Sequence, residues 1–530
     1  GGCDSIKGMD TRAKFKQYEM DQPQLLPPSL DELIPEQHLV RVINQLIDRM
    51  KLEAIESTYK GGGTSSYHPR MLLKLIVYAY AEKNYSGRQI AKLVRENIHY
   101  MWLSGGNQPD FRTINRFRSE RLKGKIQGVF TEVLEQLIDG GYVKLEHYFV
   151  DGTKIEANAN RYSFVWKKST LNRRKALEQK VSELFEKIDK LQAEEDADYG
   201  DEDLEELGGG EGIDSEALEA LAKRLDQILE DNPEPKEARE VKKAKKQIDE
   251  DLLPRLIKYE QYEVMLGDRN SCSKTDADAT FMQMKEDHMR NRSLKAGYNV
   301  QVGTEGQYIV GFSVHQNAAD NVTLRAHLEQ LRHNLKQLPK TWVADAGYGN
   351  EENYRLLEGE GVEAYLKYPG FDREKQKRTK LSEKEKYQSS QFKLQADEDI
   401  YLCPQGKPLY FEGEVEEISA TGYRSVKREY RCGECEGCAA KAVCSPKSKY
   451  GRTLSIGPEL VRLRGMAFKK LTSEIGEKLR KRRLAEVEAV FGLLKQNGRF
   501  RRFHLRGLEK VEVEWGILSM AHNLKKLAVG

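Results

Sequence analysis

The chain has no apolar run approaching the ~20 residues that a membrane-spanning helix needs, so a membrane protein is not expected. Cysteine is scarce, seven in 530 residues, which argues against a disulfide-stapled secreted scaffold. No secretory leader pattern opens the sequence, and a cytoplasmic location is expected. The glycine run Gly61-Gly62-Gly63-Thr64-Ser65-Ser66 lacks both a following Lys and a preceding strand, so it is not a phosphate loop and implies no use of ATP. Net charge is also small, +3. That balance conceals an asymmetry. Residues 195–216 are strongly acidic, whereas from Lys441 onward 21 Lys and Arg face 8 Glu, about +13. A polyanion partner for the C-terminal part follows from this, or else a solvated charge-rich surface.

This length exceeds one typical core, so several domains are expected. Residues 1–140 read as helical, with an early Pro at Pro69 and a basic helix opening at Pro109-Asp110-Phe111-Arg112-Thr113-Ile114-Asn115-Arg116. Short helices ending in a basic one suggest a helix-turn-helix with Arg112 and Arg116 toward DNA, or a plain helical bundle. Residues 165–265 read as an inserted arm. Leu177, Val181, Leu184, Ile188 and Leu191 recur at steps of four and three, as do Leu218, Leu221, Leu225 and Ile228. An antiparallel coiled-coil hairpin with an acidic, Gly-rich tip at 200–212 is expected. Two β-like runs, Tyr298–Val302 and Gln307–Val314, flank Gly303-Thr304-Glu305-Gly306 as a hairpin. A helix at 321–335, a strand ending at Asp345, another helix and a strand at 363–367 follow.

Two acids close apolar runs: Asp151 after His147-Tyr148-Phe149-Val150, and Asp345 after Thr341-Trp342-Val343-Ala344. A third, Glu488, lies in a basic helical stretch. Carboxylates at such places either cap turns or converge on hard divalent cations. At about 100° per residue Glu488 and Lys495 share a face, beside an apolar stripe of Leu484, Val487, Phe491 and Leu494, while Glu486 points to solvent. With the arm removed, the order is three strands, helix, strand, helix, strand and the Glu488 helix. That order fits an α/β, ribonuclease H-like core at 141–164, 266–370 and 476–530.

The runs Asp151-Gly152-Thr153-Lys154-Ile155-Glu156-Ala157-Asn158-Ala159-Asn160-Arg161-Tyr162, Ala344-Asp345-Ala346-Gly347-Tyr348 and Glu488-x2-Phe491-x3-Lys495 resemble bacterial insertion-sequence DDE transposases. The resemblance is closest to the group with a Cys-rich insertion before the catalytic Glu, and spans about residues 20 to 527. One departure stands out. The superfamily signature Tyr-(2)-Arg-(3)-Glu-(6)-Lys would place its Arg at Leu484 and its Tyr at Lys481, whereas Arg483 comes one residue early. The resemblance implies that Asp151, Asp345 and Glu488 hold two magnesium or manganese ions for phosphodiester hydrolysis and transesterification. It further implies binding to terminal inverted repeats and target DNA, as a homodimer associated with the bacterial nucleoid. Lys495 would meet a backbone phosphate. The alternatives are a metal-dependent nuclease without strand transfer and a non-enzymatic zinc-bearing DNA-binding protein.

Within 371–475, Cys432-x2-Cys435-x2-Cys438-x5-Cys444 has spacing suited to a structural zinc, with Cys403 an alternative ligand. An iron–sulfur loop is the other reading. Cys3 and Cys272 read as plain small thiols. Arg499, Arg501, Arg502, His504 and Arg506 interleave with Phe500 and Phe503 as a DNA-backbone track or a solvated turn. Trp166 is placed to stack on an unpaired base or to pack in the core.

Overall fold

A computed structural model describes residues 28–59, 66–196, 214–230, 235–284, 293–376 and 381–529. The glycine run at 61–63, the acidic tip at 200–212, Cys3 and the side chains of Ile188 and Leu191 lie outside the described residues. The protein is mixed α/β, with a helical N-terminal region. Pro69–Ala81 shows why that region is not separate from the rest. Pro69 takes the first helical position, where its missing N–H is not needed, and every residue from Leu75 to Ala81 is buried. A helix apolar all round must be enclosed. It packs against Leu508–Val529, and both contribute to one core reaching from Ile34 to Leu524.

We number the strands β1 His147–Glu156, β2 Phe164–Trp166, β3 Ser271–Ser273, β4 Thr280–Gln283, β5 Leu294–Glu305, β6 Tyr308–His315, β7 Thr341–Ala344, β8 Glu363–Leu366, β9 Lys393–Gln395, β10 Ile400–Leu402, β11 Pro408–Ile418, β12 Arg424–Arg431 and β13 Thr453–Ile456. The main sheet runs β6-β5-β1-β7-β8, with β4 also on β5. β6, β5 and β1 are antiparallel neighbours, whereas β7 and β8 run parallel to β1. Glu305 fixes the start of β1, accepting the backbone N–H groups of Lys144, Leu145, Glu146 and His147 at 2.6–3.0 Å.

The hairpin expected around 303–306 turns later, at Gly306 and Gln307, both with positive φ. Gly303 lies inside β5 because Tyr148 crosses it, and a Cβ there would meet that ring at 1.8 Å. The helix Leu324–Asn334 covers the Tyr148 face through His327 and Leu331. The opposite face meets Leu508–Val529 and the segment carrying Glu488.

The arm differs from a two-helix hairpin. Lys167–Asp196 and Ser215–Glu230 share their core with a third run, Pro235–Leu266. Val241, Ile248, Leu252, Leu256 and Tyr259 of that run join Leu177, Val181, Leu184, Leu218, Leu221 and Leu225. The β2–β3 ribbon closes the arm at its base, where Cys272 is fully buried with Val165 and Leu266.

The Cys-rich segment is an antiparallel sheet, β13-β12-β11-β10-β9. Pro458–Thr472, counted with this segment from the sequence, instead buries Leu463, Ala467 and Leu471 in the main core. No helix among the described residues is long and apolar enough to cross a membrane.

Candidate active site

β1 and β7 pair from His147↔Thr341 to Val150↔Ala344. Asp151 and Asp345 are therefore the next residues on adjacent parallel strands, whose axes lie about 4.8 Å apart. Asp345 keeps extended backbone and accepts the Gly347 N–H at 2.9 Å. Asp151 is 7% exposed. It sits within β1, which continues to Glu156, and not at a strand end as the sequence suggests. By strand alternation it shares a face with Phe149, over which Arg482 stacks at 5.2 Å.

Glu488 reaches this pair through Arg483. The Arg483 Nη2 donates to Glu488 Oε1 at 2.8 Å, and Nη1 lies 3.4 Å from Asp151 Oδ2. The helical run Glu474–Asn497 is not regular here: Leu484–Glu488 and Leu493–Asn497 are wide π turns, with i→i+5 closure. That overturns the regular-helix phase. Leu484, expected in the apolar stripe, is 60% exposed, and Glu486, expected in solvent, is 4% exposed. Glu486 accepts the Gln307 N–H at 2.8 Å and pairs with Arg482 at 2.9 Å, so it anchors the β5–β6 turn. Lys495 sits in the second wide turn and is also buried.

Behind the acids lies a polar layer that sequence reading missed. Asp320 accepts from Asn299 Nδ2 at 2.8 Å and Gln301 Nε2 at 2.9 Å, and Tyr348 donates to Gln301 Oε1. Asn299 and Gln301 are fully buried. Their signal was two amides alternating with Tyr298, Val300 and Val302 in a strand buried on both faces. Gly152 is required by this layer, since a Cβ would stand 2.2 Å from Asp320 Oδ1. Burial raises the Tyr348 hydroxyl well above the ordinary phenol range, and the charges of Asp320, Asp151 and Asp345 raise it further. Tyr348 thus stays a neutral donor.

The arginines divide. Arg112, Arg116, Arg499, Arg501 and Arg502 are all exposed. Arg499 lines an open cavity of about 760 Å³ with Lys83 and Tyr85, where the N-terminal helices meet the end of the Glu488 segment. Arg502, though exposed, is tied to the backbone after β1, donating to Ala157 O at 3.0 Å and Ala159 O at 2.8 Å. Trp166 is partly buried beside Phe281, and lines an open hollow with Lys168, Asn172 and Arg173.

Cys403, Cys432, Cys435, Cys438 and Cys444 all line one cavity of about 20 Å³. Cys403 Sγ accepts the Lys407 N–H at 3.3 Å and Cys435 Sγ the Arg452 N–H at 3.4 Å. Burial pushes the Cys432 thiol up to about 11. Among the described residues, no three His, Cys, Asp or Glu side chains stand as a ready metal-binding group.

Residues 402–528 match a family described as a transposase DDE domain, and residues 28–120 one described as a transposase domain (DUF772). The first match takes in Glu488 and all five of the cavity cysteines; Asp151 and Asp345 lie between the two. No curated protein and no solved structure gives a match.

Proposed function

The two family matches indicate an insertion-sequence DDE transposase, and on that footing we propose that it cuts transposon ends and joins them to target DNA. The supporting observation is the meeting of Asp151 and Asp345 on adjacent parallel strands, with Glu488 tied to Asp151 by Arg483. The order β6-β5-β1-β7-β8, antiparallel and then parallel, supports reading the core as ribonuclease H-like.

Asp151, Asp345 and Glu488 would hold two magnesium or manganese ions. The fit rests on donor chemistry, since these are hard oxygen ligands, and on the guanidinium cation that already stands between two of them. When bound, such ions supply water activation and stabilise the leaving 3′-oxygen. The chain's own part is positional. The parallel register sets Asp151 against Asp345, the Asp320–Gln301–Tyr348 layer supports β1 and β5 from behind, and the wide turn carries Glu488 to the sheet. Arg112, Arg116, Arg499 and Arg501 are exposed cations suited to DNA phosphates. Lys495, expected in the same role, is buried and would need to turn outward to serve it, and Arg502 would need to exchange its two carbonyl partners for phosphate.

Cys432, Cys435, Cys438 and Cys444, or a set with Cys403 in place of one of them, would hold a structural zinc. The observation in favour is the shared cavity, with backbone N–H groups already directed at two sulfurs. A homodimer on DNA completes the proposal.

Inverted repeats flanking the gene would supply the substrate ends. The test is cleavage of those ends and their joining to a target plasmid. Loss of both in Asp151→Asn, Asp345→Asn and Glu488→Gln is expected. Retained cleavage in all three overturns the assignment, and cleavage without joining favours a plain nuclease.

A further inference from the structure

Arg483 and Glu488 are five residues apart, a spacing that in a regular α-helix would turn them about 140° away from each other. The wide turn Leu484–Glu488 removes that separation and lets one guanidinium span two acids from different elements. Arg483 is only 16% exposed at its side chain, and its Nη1 is buried with charge proximity to Asp151 but no directed hydrogen bond. The neighbouring Arg482 is used elsewhere, by Glu486 and Phe149. One guanidinium thus bridges Asp151 and Glu488, hydrogen-bonded to Glu488 and in charge contact with Asp151.

We propose that Arg483 is a resident counter-ion of the site and a positioning residue. It holds Glu488 against Asp151 before a divalent cation arrives, yields those carboxylates when the cation enters, and turns its freed guanidinium to a DNA phosphate. This rests on the function proposed above. A guanidinium and a divalent cation repel one another across a few ångströms, strongly so in a partly buried site, so both cannot keep the same oxygens. Phosphate offers the guanidinium an equivalent bidentate partner.

The experiment is titration of the full-length protein with Mn²⁺ alone, followed by electron paramagnetic resonance of the free ion. Arg483→Gln is expected to bind Mn²⁺ tighter than wild type, on the order of tenfold, while binding DNA ends more weakly. Arg483→Lys, which keeps the charge but cannot bridge two carboxylates, should fall between. Asp151→Asn should abolish the binding in every background. Unchanged or weaker Mn²⁺ binding by Arg483→Gln with an unaltered melting temperature overturns the proposal. If Arg483→Gln does not fold, Arg483→Lys binding no tighter than wild type overturns it. Mn²⁺ binding indifferent to Asp151→Asn instead defeats the carboxylate site itself, which separates the two failures.

Discussion

Asp151 and Asp345 each stand one residue beyond a register pair, Val150 and Ala344, in adjacent parallel strands. Asp151 lies within its strand, and Asp345 is the first residue past β7, where it caps the short turn Ala346–Tyr348. Asp345→Asn preserves shape and the acceptor for the Gly347 N–H while removing the charge. We expect end cleavage to fall by at least about a hundredfold, the loss seen when even outer partners of metal ligands are removed. The melting temperature should stay within a degree or two of wild type. Single-turnover cleavage and a thermal melt, run together, check this.

Glu486 and Glu488 are two residues apart and should respond oppositely. Glu486→Ala leaves the Gln307 N–H without its acceptor and Arg482 without its partner. A cost of about 1–3 kcal/mol in stability is expected, as for a buried group losing its hydrogen bond. Glu488→Gln should cost little stability, because that side chain is 41% exposed, yet abolish cleavage. Urea denaturation of both variants beside a cleavage assay discriminates them. Equal stability loss in the two would refute the division.

The adjacency of Asp151 and Asp345 was legible because apolar runs ending in Asp mark neighbouring strand positions, and because the strand order has few alternatives. Which Glu faces the sheet was not legible. That reading multiplied 100° per residue through Leu484–Glu488, and a π turn breaks the phase while leaving no mark in composition. The turn was read as starting at Gly303, three residues before the bend at Gly306 and Gln307, for a related reason. A glycine demanded by the Tyr148 ring looks the same in sequence as one demanded by a bend. The arm's third helix escaped because Val241, Ile248, Leu252 and Leu256 lie among Lys and Glu and have no partner nearby in sequence.

A buried chain joins Tyr148 Oη, His327, Ser313 and His315 by hydrogen bonds of 2.7–2.8 Å. Burial depresses His315 to about 4 and His327 to about 3, the latter aided by the nearness of His315. Both are neutral in the fold, whereas in the unfolded chain they protonate near 6.5. The stability they contribute is complete above that value and is lost as pH falls from 6.5 toward 4 and below. Melting temperature should decline over this range in wild type and less steeply in His327→Gln. An identical slope in the variant would remove His327 from the account.

If the five-thiol cavity holds zinc, purified protein should carry about one zinc per chain by mass spectrometry. Cys432 is its most enclosed member, 1% exposed and packed with Leu409, Tyr430 and Leu454. Cys432→Ser should lose the metal and loosen β9–β13, raising proteolysis there while the main sheet stays folded. Comparing Cys403→Ser with Cys444→Ser then assigns the ligand set, since the true ligand loses zinc and the spectator keeps it. Zinc-free wild-type protein that melts identically with and without added zinc would rule out the structural role.

Glu514 joins the N-terminal helices to the helix that covers the main sheet. It is fully buried and accepts from Tyr80 Oη at 3.2 Å, from the backbone N–H groups of His504 and Leu505 at 2.8 and 3.0 Å, and approaches His504 Nδ1 at 2.9 Å. Arg118 donates to Tyr80 Oη and to Tyr85 O, both at 2.8 Å. Burial opposes ionisation of Glu514, but the His504 hydrogen bond and the Arg118 charge outweigh it and hold the carboxyl below the ordinary Glu value of 4.5. Its stabilisation is therefore present above 4.5 and lost as pH falls through the lower folded value. Glu514→Gln should cost about 3–5 kcal/mol near neutral pH by leaving Arg118 buried without a counter-charge. It should also flatten the stability profile below 4.5. Tyr80→Phe removes two hydrogen bonds, those to Glu514 and from Arg118, keeps the charge pair, and should cost about 1–3 kcal/mol with the acid limb intact. Because Arg118 follows the basic helix Phe111–Arg116 and also holds Asn115 Oδ1 at 3.1 Å, the same substitution should weaken DNA binding through that helix. A Glu514→Gln protein that melts like wild type at both pH 4 and pH 7 would show that the joint is held by apolar packing alone.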